Sequence, residues 1–349
     1  MKSLVIKTTS TAYILEDGST AVLKGNFRTK GIRSTNPVAV GDYVEVTPAT
    51  DTKHQTQYWI TDIYDRKNYI IRKSTNLSKE SHILAANVDQ VLLLVTIKHP
   101  QTSTTFIDRF LATCEAYRVP VVLVFNKIDL LNEAETVQLN ELRSLYESLG
   151  YPTLALCAKE LYNSSFSPSG RSNSSLHEVL NGKVTLFSGN SGVGKSTLIN
   201  ALMGEDVTRV ADISQAHNTG MHTTTFSCMY FLPSFSPKDG LTGEAGLSAA
   251  DVSSAKRSCV IDTPGIKGFG TFDMQKTEVS HYFREIFKIG QNCRFSDCLH
   301  LPGTPGCAVI ENIEHDAHTT HQTPDTKIAY SRYESYVSLL GDSEEKKYR

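Results

Sequence analysis

The chain contains the segment Gly189-Asn-Ser-Gly-Val-Gly-Lys-Ser196, and its fold class follows from that segment. An apolar run, Lys183–Ser188, precedes it, and a run with helical spacing, Thr197–Leu202, follows it. A strand, a glycine-rich turn and a helix in this order are typical of a P-loop, whose backbone N–H groups and helix N-terminus surround phosphate oxygens. This context favours a P-loop over a glycine-rich turn that only happens to precede Lys and Ser.

The P-loop pattern assigns chemistry to its own residues. The Lys195 ammonium would reach the β and γ phosphates of a nucleotide, and the Ser196 hydroxyl would hold Mg²⁺. The residues predicted to contact the nucleotide here are Gly189, Asn190, Ser191, Gly192, Val193, Gly194, Lys195, Ser196 and Thr197.

The region around the P-loop alternates strands and helices. Val91–Ile97 and Val119–Phe125 are nearly continuous apolar runs, as expected of strands buried on both faces. Phe106–Tyr117 and Glu133–Leu149 have helical spacing. Shorter strands are predicted at Thr153–Leu156 and Ser258–Ile261. Residues 74–272 are therefore predicted to form a doubly wound α/β domain.

The segment Asn126-Lys127-Ile128-Asp129 follows one of the buried strands, at the end where such folds bind ligands. A carboxylate at Asp129 can accept bonds from the ring N–H and the exocyclic amine of guanine, a donor pair that adenine lacks. Asn126 and Lys127 would orient the base and its loops. Alone, the tetrapeptide also fits an ordinary helix-initiating loop; beside a P-loop it predicts a guanine site. Cys157-Ala158-Lys159, after the next strand, would add a backbone N–H to the guanine carbonyl.

Two segments are candidates for sensing the γ-phosphate. Asp262 begins Asp262-Thr-Pro-Gly265, where the acid would hold Mg²⁺ through water and the Gly265 N–H would meet the γ-phosphate. Thr224 lies in a threonine run and is predicted to complete the Mg²⁺ shell, although such a run also fits the entrance of a strand. Ile266 stands where Ras-like enzymes have a water-orienting Gln. His222 is the nearest polar replacement, unless it is merely a solvated loop residue.

The order of these motifs is reversed relative to Ras-like proteins. The base motif precedes the phosphate motif in this chain, which indicates a circularly permuted GTP-binding domain. Lys195, Thr224 and His222 are then the predicted catalytic residues, with slow turnover expected in the absence of a partner.

A third region, residues 273–349, is predicted to be mostly helical and to bind zinc. Three thiols and one imidazole occur within fifteen residues, which is enough to enclose a structural Zn²⁺ without an open position. The predicted ligands are Cys293, Cys298, His300 and Cys307. The alternative is a reduced, cysteine-containing loop without metal.

The first region, residues 1–73, has turn-separated alternating segments typical of a small β-barrel. It contains 11 Lys/Arg against seven Asp/Glu, within a chain of net charge −2. Lys24, Arg28, Lys30 and Arg33 are candidates for RNA phosphate contacts, or are simply solvated. The sequence lacks an apolar run of membrane-spanning length and has unevenly spaced cysteines, so we expect a cytoplasmic protein. It offers no clear oligomer signal, so we expect a monomer. The predicted barrel strands are Leu4–Lys7, Ala21–Leu23, Tyr43–Val46 and Tyr58–Ile63.

Together these motifs resemble the ribosome small-subunit-dependent GTPase A family. The likeness extends to Pro37–Asp42, Ala85–Asp89 and Arg332–Tyr336, so it covers nearly the whole chain. It implies an OB-fold N-terminal domain, a zinc-bearing C-terminal domain, and a GTPase that binds the small ribosomal subunit and its rRNA in late maturation. The implied ligands are GTP or GDP, Mg²⁺ and one Zn²⁺, and hydrolysis is expected to be activated by the subunit. In the family, the histidine matching His222 has been considered catalytic.

The chain departs from the family pattern in three places. The gap between His300 and Cys307 is one residue longer than usual, Pro233–Ala255 is an extra insertion, and Cys157 replaces the usual Ser. Two other functions stay open from sequence. One is an RNA-binding structural factor in which GTP only stabilises the fold, and the other is a permuted GTPase that acts on a different RNA.

Overall fold

The computed structural model describes residues 1–9, 11–24, 37–49, 57–73, 81–163, 174–208, 227–233, 257–263, 274–314 and 327–345. Contacts divide the chain into two compact units. The first unit contains Met1–Leu92 and Cys157–Ile266, and the second contains Leu93–Leu156 and Lys267–Arg349. The chain therefore crosses between the units three times.

In chain order the strands are β1 (Lys2–Thr8), β2 (Tyr13–Leu15), β3 (Thr20–Leu23), β4 (Tyr43–Pro48), β5 (Tyr58–Ile63), β6 (Tyr69–Lys73), β7 (Ser81–Ala86), β8 (Gln90–Val95), β9 (Val121–Asn126), β10 (Thr153–Leu156), β11 (Val184–Gly189), β12 (Cys228–Phe231), β13 (Cys259–Asp262), β14 (Ile313–Glu314) and β15 (Ile328–Ala329). The α-helices are α1 (Thr104–Ala116), α2 (Glu133–Ser148), α3 (Ala158–Asn163), α4 (Ser174–Leu180), α5 (Lys195–Met203), α6 (Lys276–Val279), α7 (Arg284–Gly290), α8 (Ala308–Glu311) and α9 (Tyr330–Glu345). Short 3₁₀ helices occupy Ile128–Leu130 and Ser280–Tyr282.

The first unit begins with a closed five-stranded barrel. Its strands follow the order β1-β2-β3-β5-β4, and pairing of β1 with β4 closes it. β3 and β5 are parallel, whereas the other pairs are antiparallel. Alternate residues point inward, so that Val5, Leu15, Val44 and Ile60 form a fully buried core. This topology is that of an OB-fold, which confirms the predicted barrel.

The same unit contains the P-loop strand. β11 pairs in parallel with β13, and β12 pairs antiparallel with β13. β12 also pairs with barrel strand β1 through Lys7 and Cys228. Leu186, Phe187, Val260 and Ile261 are fully buried, as the apolar sequence of these strands requires.

The second unit combines the base-motif strand with the C-terminal helices. β9 and β10 are parallel, in a register that pairs Asn126 with Leu156. Helix α9 packs against α1, and Ala112 of α1 belongs to the same apolar core as Phe283, Ile286 and Tyr336. A hydrophobic core thus joins α1 to the region that carries the Cys/His cluster.

Buried charges also hold the second unit together. Arg332 of α9 donates to Asp108 of α1 at 2.7 Å and to both oxygens of Glu285 at 2.7 and 3.1 Å. Tyr146 of α2 donates to the same Asp108 oxygen at 2.9 Å. The Arg332 guanidinium lies 4.8 Å from the centre of the Phe283 ring. All five side chains are almost completely buried.

Within the residues that the structure describes, no helix has the length and apolar character needed to cross a membrane. The long predicted segments are confirmed to within about three residues. The short strands β2, β6, β7, β12, β14 and β15 were not predicted from sequence.

Candidate functional site

The P-loop lies between β11 and α5. The strand ends at Gly189, and the helix begins at Lys195. Gly192 and Gly194 have φ angles of +82° and +100°, which a residue with a Cβ rarely adopts. The glycines therefore allow the backbone to turn tightly just before the helix, with the N-terminal amides of α5 at the end of the turn.

The Lys195 side chain folds back over the P-loop. Its Nζ donates to the carbonyl oxygens of Gly189 at 3.0 Å and Asn190 at 3.4 Å. Burial lowers the pKa of Lys195, and the nearby Asp262 carboxylate opposes that shift. Phosphate oxygens would replace the neutral carbonyls as partners and would favour the charged ammonium.

Asp262 is the last residue of β13 and faces Phe187 of β11 in the strand register. The parallel pairing thus brings Asp262 to the strand end from which the P-loop emerges. Ser196 lies in the first turn of α5 and is exposed. The first unit therefore assembles the Lys, Ser and Asp that the sequence predicts for nucleotide phosphates and Mg²⁺.

Other predicted residues lie outside the described ranges. They include the predicted catalytic residues His222 and Thr224, together with Gly265, Ile266 and the basic residues Arg28, Lys30 and Arg33. The Pro233–Ala255 insertion is outside them too, apart from Pro233 itself.

The base motif occupies the end of β9. Asn126 is the last residue of the strand and is buried, while Asp129 lies in the 3₁₀ helix and is exposed. Lys127 has a left-handed backbone, with φ = +63° and ψ = +38°. Its Nζ donates to the carbonyl oxygen of His99. The carboxylate predicted to recognise guanine is thus accessible on a short, ordered turn.

The third nucleotide segment, Cys157-Ala158-Lys159, continues directly from β10. Cys157 is buried, and its carbonyl oxygen accepts the N–H of Leu161 at 3.1 Å. Ala158 begins α3. Because the Cys157 side chain is buried, a contact of this residue with a base would come from its backbone.

The Cys/His cluster has the dimensions of a zinc site. The Cys293 and Cys307 sulfurs are 3.9 Å apart, and His300 Nδ1 lies 3.5 and 3.6 Å from them. Ligand atoms of all four residues, including Cys298, lie within 4.8 Å of one another. A tetrahedral zinc ion, with bonds of about 2.3 Å to sulfur and about 2.0 Å to nitrogen, separates its ligands by about 3.5–3.8 Å. The cluster could therefore hold Zn²⁺.

Burial shifts the pKa of two cluster residues, one in favour of metal binding and one against it. Burial lowers the pKa of His300, which favours the neutral imidazole that binds metals. Burial raises the pKa of the Cys307 thiol to about 12, so zinc would have to displace its proton. Metal affinity is therefore expected to fall as the pH decreases.

Neighbouring residues fix His300. Tyr333 of α9 donates to its carbonyl oxygen at 2.8 Å, and Tyr336 donates to the carbonyl of Leu299 at 2.8 Å. A Cβ at Gly290 would lie only 3.0 Å from the His300 ring. The glycine thus provides space for the imidazole, and α9 supports the loop that carries it.

Sequence reasoning missed the residues around Lys127. Neither the His99 carbonyl nor the ion pair of Lys98 with Glu135 was predicted. A signal for Glu135 was present, because Asn132 followed three residues later by Glu is a capping-box pattern. The structure contains this capping box.

The chain matches the model of a family described as RsgA GTPase over residues 63–239. It also matches a family described as 50S ribosome-binding GTPase over residues 184–301. A protein named small ribosomal subunit biogenesis GTPase RsgA, from Phocaeicola vulgatus, is 50% identical over 356 aligned positions. The alignment covers 100% of this chain and 99% of the relative.

Two solved structures are similar to this one. YjeQ from Thermotoga maritima is 29% identical, with a TM-score of 0.64 and 98% of each chain covered. YloQ, whose structure is described as that of a circularly permuted GTPase, is 22% identical, with a TM-score of 0.59. That match covers 100% of this chain and 96% of YloQ, and it supports the fold. In this chain the base motif precedes the P-loop, which is the motif order of a circularly permuted GTPase.

Proposed function

Because the chain belongs to the RsgA GTPase family, and is thus a GTP hydrolase, we propose that it acts in the biogenesis of the small ribosomal subunit. The observation that carries this proposal is the likeness of the whole chain, barrel and Cys/His cluster included, to a relative named for that role. The proposed partner is the small subunit, bound through its rRNA. This partner implies a cytoplasmic location.

We propose that GTP binds with Mg²⁺ through residues from each motif. Lys195 contacts the β and γ phosphates, Ser196 and Thr224 hold Mg²⁺, and Asp262 holds it through water. The Gly265 N–H meets the γ-phosphate. Guanine is recognised by the Asp129 carboxylate, with Asn126, Lys127 and the backbone of Cys157–Lys159 in support. The position of Lys195 inside its loop and the exposure of Asp129 both support this assignment.

Hydrolysis requires a group that orients the attacking water. Ile266 cannot do so, because its side chain has no polar atom. We propose that His222 takes this role once the small subunit is bound, and that turnover is slow without the subunit. Bound Mg²⁺ would stabilise charge on the phosphates.

The Cys/His cluster is proposed as a structural zinc site. Three thiolates and one imidazole complete a tetrahedral shell and leave no position for a reactive water. Its function would be to fix the conformation of the loop between α7 and α8 for binding to the small subunit.

The basic character of residues 1–73 supports rRNA binding by the barrel. OB-folds bind oligonucleotides on one face, and Lys or Arg contacts to phosphate supply sequence-independent affinity. Lys24, Arg28, Lys30 and Arg33 are the proposed contacts.

The test of the proposed function is phosphate release from GTP with and without purified small ribosomal subunits. Small subunits should stimulate release strongly, whereas large subunits and protein-free rRNA should not. Lys195→Ala should abolish the stimulated reaction, because the phosphates lose their cation. Unchanged slow turnover would contradict subunit activation.

A second function, an RNA-binding structural factor, is favoured only by Ile266. Such a factor would bind small subunits equally well with GTP, with GDP and without nucleotide. A GTPase switch would bind with different affinities in these three states.

A further inference from the structure

The loop between β8 and α1, residues 96–103, contacts the guanine motif. Lys127 Nζ donates to the carbonyl oxygen of His99 at the tip of this loop. Both residues have left-handed backbones, with φ of +63° at Lys127 and +54° at His99. The hydrogen bond therefore joins two turns of defined shape, one of which leads into Asp129.

The loop is held by hydrogen bonds at its base. The Thr96 N–H donates to Thr102 Oγ1 at 3.1 Å, and the Thr102 N–H donates to the Thr96 carbonyl at 2.9 Å. The Thr96 hydroxyl donates to the carbonyl of Pro100. Ser103 then caps α1 by accepting the N–H of Phe106 at 3.2 Å. The His99 carbonyl is thus presented by an ordered loop.

A side-chain contact joins the same loop to the other side of the guanine motif. Lys98 Nζ binds Glu135 Oε2, which also accepts the backbone N–H of Asn132 at 2.8 Å. The Asn132 side chain accepts the Glu135 N–H at 2.9 Å, completing the capping box. In the sequence, Asp129 therefore lies between Lys127, which binds His99, and the Asn132–Glu135 cap, which binds Lys98.

The charges are suited to hold this arrangement. Side chains of Lys98 and Glu135 are 27% and 25% exposed, so the pair is partly screened from water. The hydrogen bond from Lys98 is the largest influence on Glu135 and lowers its pKa. The carboxylate is therefore ionised at neutral pH and remains available to both donors.

We propose that Lys98 and Glu135 are positioning residues for guanine recognition. Through the loop and the helix cap, they hold the turn so that the Asp129 carboxylate meets the ring N–H and the exocyclic amine of the base. Neither residue contacts the nucleotide itself. This inference rests on the proposed recognition of guanine by Asp129.

The test compares GDP with IDP, whose base lacks the exocyclic amine. Asp129 would accept two hydrogen bonds from GDP but only one from IDP. Displacement of its carboxylate therefore weakens GDP binding more than IDP binding, and the ratio of the two dissociation constants reports the position of the carboxylate. Lys98→Met and Glu135→Gln are the variants, measured by equilibrium competition against a fluorescent guanine nucleotide. Gln at the third helical position keeps the capping box, so Glu135→Gln removes mainly the charge.

We expect both variants to reduce the preference for GDP over IDP about three- to fivefold. Lys98→Arg should restore it, and the rate of phosphate release at saturating GTP should stay unchanged. The matched control is Arg143→Met, which breaks a partly exposed ion pair with Glu147 on α2 and a hydrogen bond to Thr153, and which should leave the preference unchanged.

Two results would overturn the proposal. One is an unchanged GDP-to-IDP preference in Lys98→Met and Glu135→Gln. The other is an equal loss for both nucleotides, which would indicate general loosening of the fold. Failure of the proposed guanine recognition would be visible separately, as a wild-type protein that does not prefer GDP to ADP.

Discussion

At the scale of single residues, Gly41 shows how closely the barrel approaches the hairpin that follows it. Its φ is +93°, and a Cβ there would lie 2.1 Å from the carbonyl oxygen of Ala86. The Gly41 N–H donates to Val5 at 2.9 Å, and its carbonyl accepts from Asn87 at 2.8 Å. The backbone at this position is therefore fixed on both sides and has no room for a side chain.

Gly41→Ala is expected to destabilise the protein by about 3 kcal/mol or more, because both the conformation and the space exclude a methyl group. Gly18→Ala is the matched control. Gly18 has a similar φ of +81° but nothing within 4 Å, so its cost should be about 1 kcal/mol. Urea denaturation followed by circular dichroism measures both. Equal losses would show that the short distance to Ala86 is relieved by a small backbone shift.

At the scale of elements, helix α9 joins two parts of the second unit. One side binds the loop that carries the Cys/His cluster, through Tyr333 and Tyr336, and the other binds α1 through Arg332. Arg332 is the cation that binds two buried carboxyl groups, so its loss would leave Asp108 and Glu285 without a cation in a region that water does not reach.

Arg332→Met is therefore expected to cost about 3–5 kcal/mol of unfolding free energy. The comparison is Arg109→Met, on the neighbouring position of α1. Arg109 pairs with Asp342 of the same helix α9, but these side chains are 29% and 43% exposed, and the expected loss is below about 1 kcal/mol. A small loss for Arg332→Met in equilibrium denaturation would mean that water or repacking compensates for the missing guanidinium.

Elements also show what sequence could and could not predict. Helices α1 and α2 were predicted because their apolar residues recur with helical spacing, and strands β8 and β9 because each is a nearly continuous apolar run. β2, with three residues, is too short to show either pattern. The P-loop and the Cys/His cluster were found because their residues are close in sequence. Arg332 and Asp108 are 224 residues apart, and only the folded chain brings them together.

At the scale of the whole molecule, the Cys/His cluster and the base motif lie in the same compact unit. The cluster supports α9 through Leu299 and His300, α9 binds α1, and Tyr146 of α2 binds the same Asp108. The Cys/His region is therefore part of a continuous core rather than an appended module.

Removal of the proposed zinc ion by a chelator should accordingly increase amide hydrogen exchange in α1 as well as in residues 293–307. Exchange measured by mass spectrometry, with and without chelator, tests this. Strands β2 and β3 of the barrel are the internal control and should be unaffected. Faster exchange confined to residues 293–307 would contradict a shared core, and readdition of zinc should reverse any real effect.

The left-handed backbone of Lys127 would move part of the free-energy cost of the proposed nucleotide recognition from binding to folding. Ordering one residue costs about 1–2 kcal/mol in conformational entropy, and a non-glycine residue in this region costs about 1–2 kcal/mol more. Both costs are incurred when the chain folds, and the hydrogen bond to His99 offsets part of them. A nucleotide that arrives at this turn finds it pre-organised, so more of its contact energy remains available as affinity.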